Sequence, residues 1–297
     1  MLLTPDCILC NYKFALAAIR EVTDREDTVK ELIADIMQVP ALQGRDWSVT
    51  SPGLVEKIIA IINSAQGSRD PFYALKERQN RKCLQLYPWL KSLINDSEDP
   101  LLRAVNLATI GNSIGPMGYL IQPDLEESIR GLMEKSVPRG EFIDFKKRLE
   151  RTDRILYIGD NCGEIVLDRL LIETIKARYD LEVVFVVRNV PTVNDVTMEE
   201  ANLVGLDQTA TVVGNGIDGP FPGTSLSRCS EHFRSLWSSA DLIISKGGGN
   251  FDSLDEENVD KTAICFMLMC KCSPYRDRFG VPIGEPILSA GGMMCRS

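Results

Sequence analysis

Three short polar clusters, each following an apolar run, hold the side chains best suited to chemistry in this chain. They are Gly159-Asp160-Asn161-Cys162-Gly163-Glu164, Arg188-Asn189-Val190-Pro191-Thr192-Val193-Asn194-Asp195 and Lys246-Gly247-Gly248-Gly249-Asn250-Phe251-Asp252. Asp160, Asn161 and Asp195 offer hard oxygen donors. Such a set suits one divalent cation and leaves positions for water and phosphate oxygens. Lys246 and the glycines after it can set an ammonium and backbone N–H groups around an anion. Each cluster also has a plainer reading. Asp160 and Asp195 can be helix caps, and the glycines a tight strand-to-helix turn. A turn needs only one or two glycines, and it does not account for the lysine. GDNCGE lacks the spacing of a dinucleotide fingerprint, and KGGGN is not a Walker A loop.

Composition narrows the chemistry further. The chain of 297 residues has one histidine, His232, so zinc sites of the His₃ or HExxH kind are excluded. A serine–histidine–aspartate triad would need His232, which lies in SRCSEHFRSLW, read as a surface helix. A metal must then bind mainly through oxygen or sulfur, and oxygen donors favour Mg²⁺ or Mn²⁺. Nine cysteines (Cys7, Cys10, Cys83, Cys162, Cys229, Cys265, Cys270, Cys272 and Cys295) make an odd number in a long chain. Reduced thiols in a cytoplasmic protein fit this better than a disulfide framework. Cys7-x-x-Cys10 is open to three readings: a redox pair, half of a zinc site completed by Cys270 and Cys272, or two structural thiols. Cys162 lacks a nearby histidine to activate it as a nucleophile. The formal net charge of −9 disfavours nucleic acid as a partner. No apolar run approaches the roughly 18–20 residues that span a bilayer, so no membrane partner is expected.

The elements that position the clusters can be read from periodicity. Residues 13–39, 53–64 and 72–95 have helical spacing, as does DPLLRAVNLATIGNSIG, which breaks at Gly111 and Gly115. Segments 123–135 and 139–150 add two helices. Pro5, Pro40, Pro52, Pro71, Pro100 and Pro116 fall at plausible helix boundaries. From residue 153 the pattern changes to short apolar strands, RILYIGD, LEVVFVVRN, QTATVVGNG, ADLIISKGGGN and TAICFMLM. Helical runs IVLDRLLIETIKARY and TMEEANLVGL lie between them, and Asn194-Asp195 is read as opening the second. Continuous apolar strands alternating with helices predict an α/β fold, a three-layer α/β/α sandwich with a mostly parallel sheet. An N-terminal all-helical subdomain (1–150) would pack on the α/β domain (151–297). Ligands of parallel sheets bind beyond the carboxyl ends of strands, so the three clusters should meet on one rim.

DNCGE, RNVPTVND and KGGGNFDSL, in this order and on these strands, resemble the metal-dependent damage-control phosphatase family, formerly domain of unknown function 89. CILC resembles the Cys-x-x-Cys of its archaeal and bacterial branch. LATIGNSIG resembles its Gly-Asn element, and KCSPY its lysine-cysteine-proline segment. The resemblance covers nearly the whole chain. It implies metal ligation by Asp160, Asn161 and Asp195, and phosphate or substrate contacts from Lys246, Glu164, Arg188, Asn194 and Asn250. The glycine N–H groups, Gly247 and Gly248 among them, would add to these contacts. Two positions depart from the family pattern: Gly248 stands where a Gln is common, and Gly115 where an acidic residue often follows the Gly-Asn element, which bears on the role of Asn112.

The expectation is a phosphomonoesterase acting on small phosphorylated metabolites, sugar phosphates or damaged phospho-cofactors, with one divalent ion (Mn, Co, Ni or Mg). Asp160, Asp195 and Glu164 are its candidate catalytic carboxylates, with Asp195 or Glu164 orienting the attacking water. Direct attack by a carboxylate is the competing route. Two rivals remain. One is a non-enzymatic metal- or metabolite-binding module on the same scaffold. The other, a carboxyl methyltransferase using S-adenosylmethionine, lacks a suitable glycine-rich first loop.

Overall fold

A computed structural model describes residues 1–67, 70–114 and 125–290. Gly115, Pro116 and Cys295 lie outside the described residues. Helices fill the first half: α1 (Pro5–Val22), α2 (Glu26–Ile36), α3 (Ser51–Gln66), α4 (Tyr73–Asn95), α5 (Pro100–Gly111), α6 (Leu125–Leu132) and α7 (Arg139–Leu149). The second half runs β1 (Arg154–Ile158), α8 (Glu164–Lys176), β2 (Glu182–Val187), α9 (Met198–Leu203), β3 (Thr211–Gly214) and α10 (Glu231–Ser239). It continues β4 (Leu242–Lys246), α11 (Gly247–Asp255), β5 (Ile264–Met269), α12 (Ser273–Phe279) and β6 (Pro286–Ser289).

Local chemistry sets several of these boundaries. Pro5 in the first turn of α1, with Asp6 beside it, starts that helix eight residues before the periodic run at Lys13. The stretch 13–39 is two helices, because Thr23 leaves α1 in an extended conformation and Glu26 and Asp27 open α2. Asp99 caps α5 by accepting from Leu102 N–H at 3.2 Å, with Pro100 in its first turn. Asn194-Asp195 does not begin a helix. α9 starts at Met198 behind a capping box, in which the Thr197 N–H donates to Glu200 Oε2 at 2.8 Å. The box outcompetes Asp195 as a cap and leaves its carboxylate free for other contacts.

The fold is a three-layer α/β/α sandwich. Its sheet has the order β3-β2-β1-β4-β5-β6, with β1 to β5 parallel and β6 antiparallel to β5. The sixth strand, PILS, has too little length and alternation to stand out as a strand. All six residues of β5 and all five of β4 are buried, as expected where helices cover both faces. Alternate residues face opposite layers. Ile155 and Tyr157 of β1 join the core under α4, α5 and α8, while Leu156 and Ile158 join the one under α10 to α12. A third core lies within α1 to α3 around Phe14, Ile19, Leu32, Ile36 and Ile58, and Val193 from the loop after β2 inserts into it. The helices of residues 1–150 therefore divide, α1 to α3 around their own core and α4 to α7 against the sheet. Among the described residues no helix is long and apolar enough to cross a membrane.

β1 pairs with β2 on one side and β4 on the other, so the strand order reverses between β1 and β4. Crevices at such switch points are where doubly wound sheets bind ligands. The first and third clusters follow these two strands.

Asp252 on α11 is buried, and its Oδ1 has no hydrogen-bond partner. Burial pushes its carboxyl up to about 7. An unfolded aspartate titrates near ~3.9, so between about pH 4 and 7 the folded chain keeps a proton that the unfolded chain has lost. Stability from this group is complete below about pH 4 and declines as pH rises through 7, by at most about 4 kcal/mol. Asp252→Asn is expected to flatten that decline in Tm, measured by thermal melting across the window. An unaltered slope would refute the assignment.

Candidate active site

The loops after β1 and β2 are stapled together. Asn161 and Asp195 form an isolated antiparallel bridge, and the Cys162 N–H donates to the Asn194 carbonyl at 2.7 Å. Val196 N–H donates to the Asp160 carbonyl at 2.9 Å. Between them, Val193 sits at φ 46°, a left-handed conformation costly for a β-branched residue. Its side chain is held in the α1 to α3 core, and this packing fixes the turn in which Asp195 N–H meets Thr192 O at 2.8 Å.

The structure brings Asp160, Asn161, Glu164, Asp195 and Arg188 together. Asp160 Oδ2 accepts from Asn161 Nδ2 at 2.6 Å and from Asn112 Nδ2 at 3.0 Å. The same two amides reach Glu164 Oε2, at 2.9 and 3.3 Å. Arg188 donates from Nε to Asp195 Oδ2 at 2.7 Å, and from Nη1 to Gly223 O and Asn250 Oδ1 at 2.8 and 3.0 Å. Its Nη2 stands 3.7 Å from Asp160 Oδ1 and, though buried, makes no hydrogen bond. Burial, reinforced by the charges of Asp195 and Glu164, raises the Asp160 carboxyl well above the usual carboxylate range. Burial likewise raises Asp195, against the pull of Arg188.

Other expected site residues are bound up inside the protein. Lys246 is fully buried, with its ammonium on Glu164 Oε1 at 2.7 Å, the Ala108 carbonyl at 2.8 Å and Asp168 Oδ1. Asn250 uses its whole hydrogen-bonding capacity: Nδ2 donates to Gly159 O and Lys246 O at 3.0 and 2.8 Å. Its Oδ1 accepts from Arg188 and from Thr224 Oγ1 at 2.9 Å. It ties β1, β4 and the Arg188 guanidinium into one frame. Asn194 donates to Gln79 Oε1 of α4 at 3.2 Å.

The three glycines form the first turn of α11, each in a different close approach. A Cβ on Gly247 would lie 1.8 Å from Asp160 Oδ2, on Gly248 2.3 Å from the Tyr275 hydroxyl, and on Gly249 2.0 Å from Pro222 O. The run therefore reflects three separate contacts.

Four contributors were not assigned a role by sequence reasoning. Asn80 of α4 accepts the Gly163 N–H at 2.6 Å, next to Gln79. Polar residues on the buried side of an otherwise amphipathic helix were the available signal. Asp168 follows Glu164 by four positions on α8, a spacing that shares one helix face. Lys271, in KCSPY, is lowered by burial while the charges of Asp160 and Glu164 oppose the shift.

The donor chemistry fits a hard divalent cation: two buried carboxylates and one amide within a single loop bridge. Among the described residues no group of three or more His, Cys, Asp or Glu side chains is arranged to hold a metal. The fit therefore rests on Asn161, whose amide nitrogen now faces Asp160 and Glu164; its oxygen becomes a donor on a half-turn of the amide. Nor do the described cysteines gather into a four-thiolate site. Cys270 Sγ instead faces Val281 O at 3.2 Å, while Cys10 is exposed and Cys7 half-buried. Burial raises the Cys162 thiol well above its ordinary value, as expected of a structural cysteine. His232 is exposed on α10.

The sequence profile of the damage-control phosphatase ARMT1-like domain matches residues 3–287. An uncharacterized protein of Methanocaldococcus jannaschii is 34% identical, over 96% of this chain and 94% of its own length. A damage-control phosphatase of Archaeoglobus fulgidus is 28% identical, covering 96% of each chain. One of Pyrococcus horikoshii is 31% identical over 73% of this chain and 74% of that protein. The crystal structure of a DUF89 family protein from Pyrococcus horikoshii superposes with a TM-score of 0.84 at 25% identity, covering 99% of this chain and 100% of that one. The chain belongs to the damage-control phosphatase ARMT1-like family.

Proposed function

We propose that this protein is a metal-dependent phosphomonoesterase acting on small phosphorylated metabolites. Family membership and relatives named damage-control phosphatases support a phosphatase role. The observation that carries the reading is the charge pattern of the rim. Two buried carboxylates, Asp160 and Asp195, flank an Arg188 Nη2 that is buried without a hydrogen-bond partner. The carboxylates call for a cation and the guanidinium for an anion, and a phosphate bound through a divalent ion meets both needs.

Asp160, Asn161 and Asp195 would hold the ion. When bound, a cation such as Mn²⁺, Co²⁺, Ni²⁺ or Mg²⁺ supplies a Lewis acid for a phosphate oxygen and a water of lowered pKa. Arg188 and the first N–H groups of α11, at Gly247 and Gly248, would hold the remaining phosphate oxygens. Asp195 or Glu164 would orient the attacking water and take its proton.

The test is phosphate release from a panel of phosphorylated sugars and cofactors, with each metal and with excess chelator. Turnover with at least one metal, lost on chelation and restored by adding the ion back, is the expected result. No turnover with any metal would favour the metabolite-binding module.

A further inference from the structure

We propose that Asp168 is a positioning residue of this site, acting through Lys246 on Glu164, an inference that rests on the phosphatase reading above. α8 presents Glu164 in its first turn and Asp168 one turn later, so both carboxylates leave the same helix face. Both are buried to within 1% of complete exclusion. Lys246, at the end of β4, meets the two together. Its third contact is the Ala108 carbonyl, in the last turn of α5, where main-chain acceptors lack intrahelical partners. The ammonium donates hydrogen bonds to Asp168 Oδ1 and the Ala108 carbonyl and is ion-paired with Glu164 Oε1 at 2.7 Å. Lys246 cannot reach a phosphate without breaking one of these contacts.

Asp168 is itself held from the sheet. The hydroxyl of Tyr157, on β1 beside β4, donates to Asp168 Oδ1 at 2.7 Å. The Tyr157 ring is stacked on Phe185 with centroids 5.1 Å apart, which fixes the hydroxyl. On the opposite side, Glu164 Oε2 receives the Asn161 and Asn112 amides that also donate to Asp160 Oδ2. A continuous series of contacts thus runs from Tyr157 through Asp168, Lys246 and Glu164 to Asp160. Replacing the Asp168 carboxylate by a neutral amide removes one of the two negative charges that hold the ammonium in a fully buried place. The ammonium is then drawn toward Glu164, the charge that remains, and Glu164 moves with it, away from the two amides.

The test compares Asp168→Asn and Tyr157→Phe with the parent, using p-nitrophenyl phosphate and Mn²⁺, with thermal melting to confirm folding. Asp168→Asn is expected to lower kcat about tenfold or more, with KM and the Mn²⁺ activation constant within about twofold. Tyr157→Phe should lower kcat about threefold, and the double variant should be no worse than Asp168→Asn alone, because the two act in series. A readout independent of turnover is the ¹⁵N signal of the Lys246 ammonium. In the parent it should stay slow in exchange with water when Mg²⁺ and inorganic phosphate are added. In Asp168→Asn exchange should quicken about tenfold or more.

Unchanged kcat in both single variants, or a loss confined to KM, overturns the inference. So does an ammonium signal that shifts on addition of phosphate, which would make Lys246 a direct phosphate contact. Should Asp168→Asn fail to fold, Tyr157→Phe decides the same question through kcat and the exchange rate. A parent without turnover sinks the phosphatase reading, and the ammonium signal still decides the role of Asp168.

Discussion

Asp160→Ala is expected to lower metal-dependent phosphate release by about 10³-fold or more while leaving the fold intact. The loss follows from its place at the β1/β4 switch point, where its Oδ2 gathers the Asn112 and Asn161 amides and its Oδ1 stands 3.7 Å from Arg188 Nη2, which makes no hydrogen bond. Stability is not expected to fall. Burial and the neighbouring charges of Asp195 and Glu164 already make a charged carboxylate unfavourable there. Arg188 keeps its 2.7 Å pairing with Asp195 and its contacts to Gly223 and Asn250. Function and stability pull in opposite directions at this position, as is common where a site is built to receive a ligand. Steady-state kinetics alongside thermal melting separate the two. Full activity in the variant, or a loss that merely tracks unfolding, would contradict the assignment.

Gly247→Ala should come close to this result by steric means. Gly247 sits at φ 77°, where an L side chain is strained by about 1–2 kcal/mol. The added methyl would also lie 1.8 Å from Asp160 Oδ2 and 3.0 Å from Asn112 Nδ2. The cheapest relief is rotation of the Asp160 carboxylate, which breaks its hydrogen bonds to Asn112 and Asn161. A fall of about 10²-fold in kcat/KM is expected, with a modest drop in Tm. Gly249→Ala is the contrast. Its new methyl would meet backbone, the Pro222 carbonyl at 2.0 Å, so the damage should show first in folding. Wild-type kcat/KM in Gly247→Ala would mean that the Asp160 carboxylate has no fixed role.

Much of this arrangement is legible along the chain. The five apolar runs from RILYIGD to TAICFMLM each become a strand, and all five run parallel. The exception, β6, is a four-residue antiparallel strand whose pairing with β5 is a tertiary choice. Asp195 shows where local reasoning fails. An Asn-Asp pair ahead of a helical run reads as a cap, but Thr197 and Glu200 form a better one two residues on, and Asp195 turns to Arg188.

By itself the sequence determined the element types, the apolar faces and the grouping of three polar clusters at strand ends. Each of these depends on periodicity and turn chemistry within a few residues. Only the tertiary structure decided which charges meet. Lys246 finds Ala108 and Asp168 at separations of 138 and 78 residues, because β1 and β4 are neighbours and α5 and α8 cover their common face. A buried ammonium must take acceptors from whatever elements the strand order brings beside it, and that order is a long-range property that no local pattern encodes.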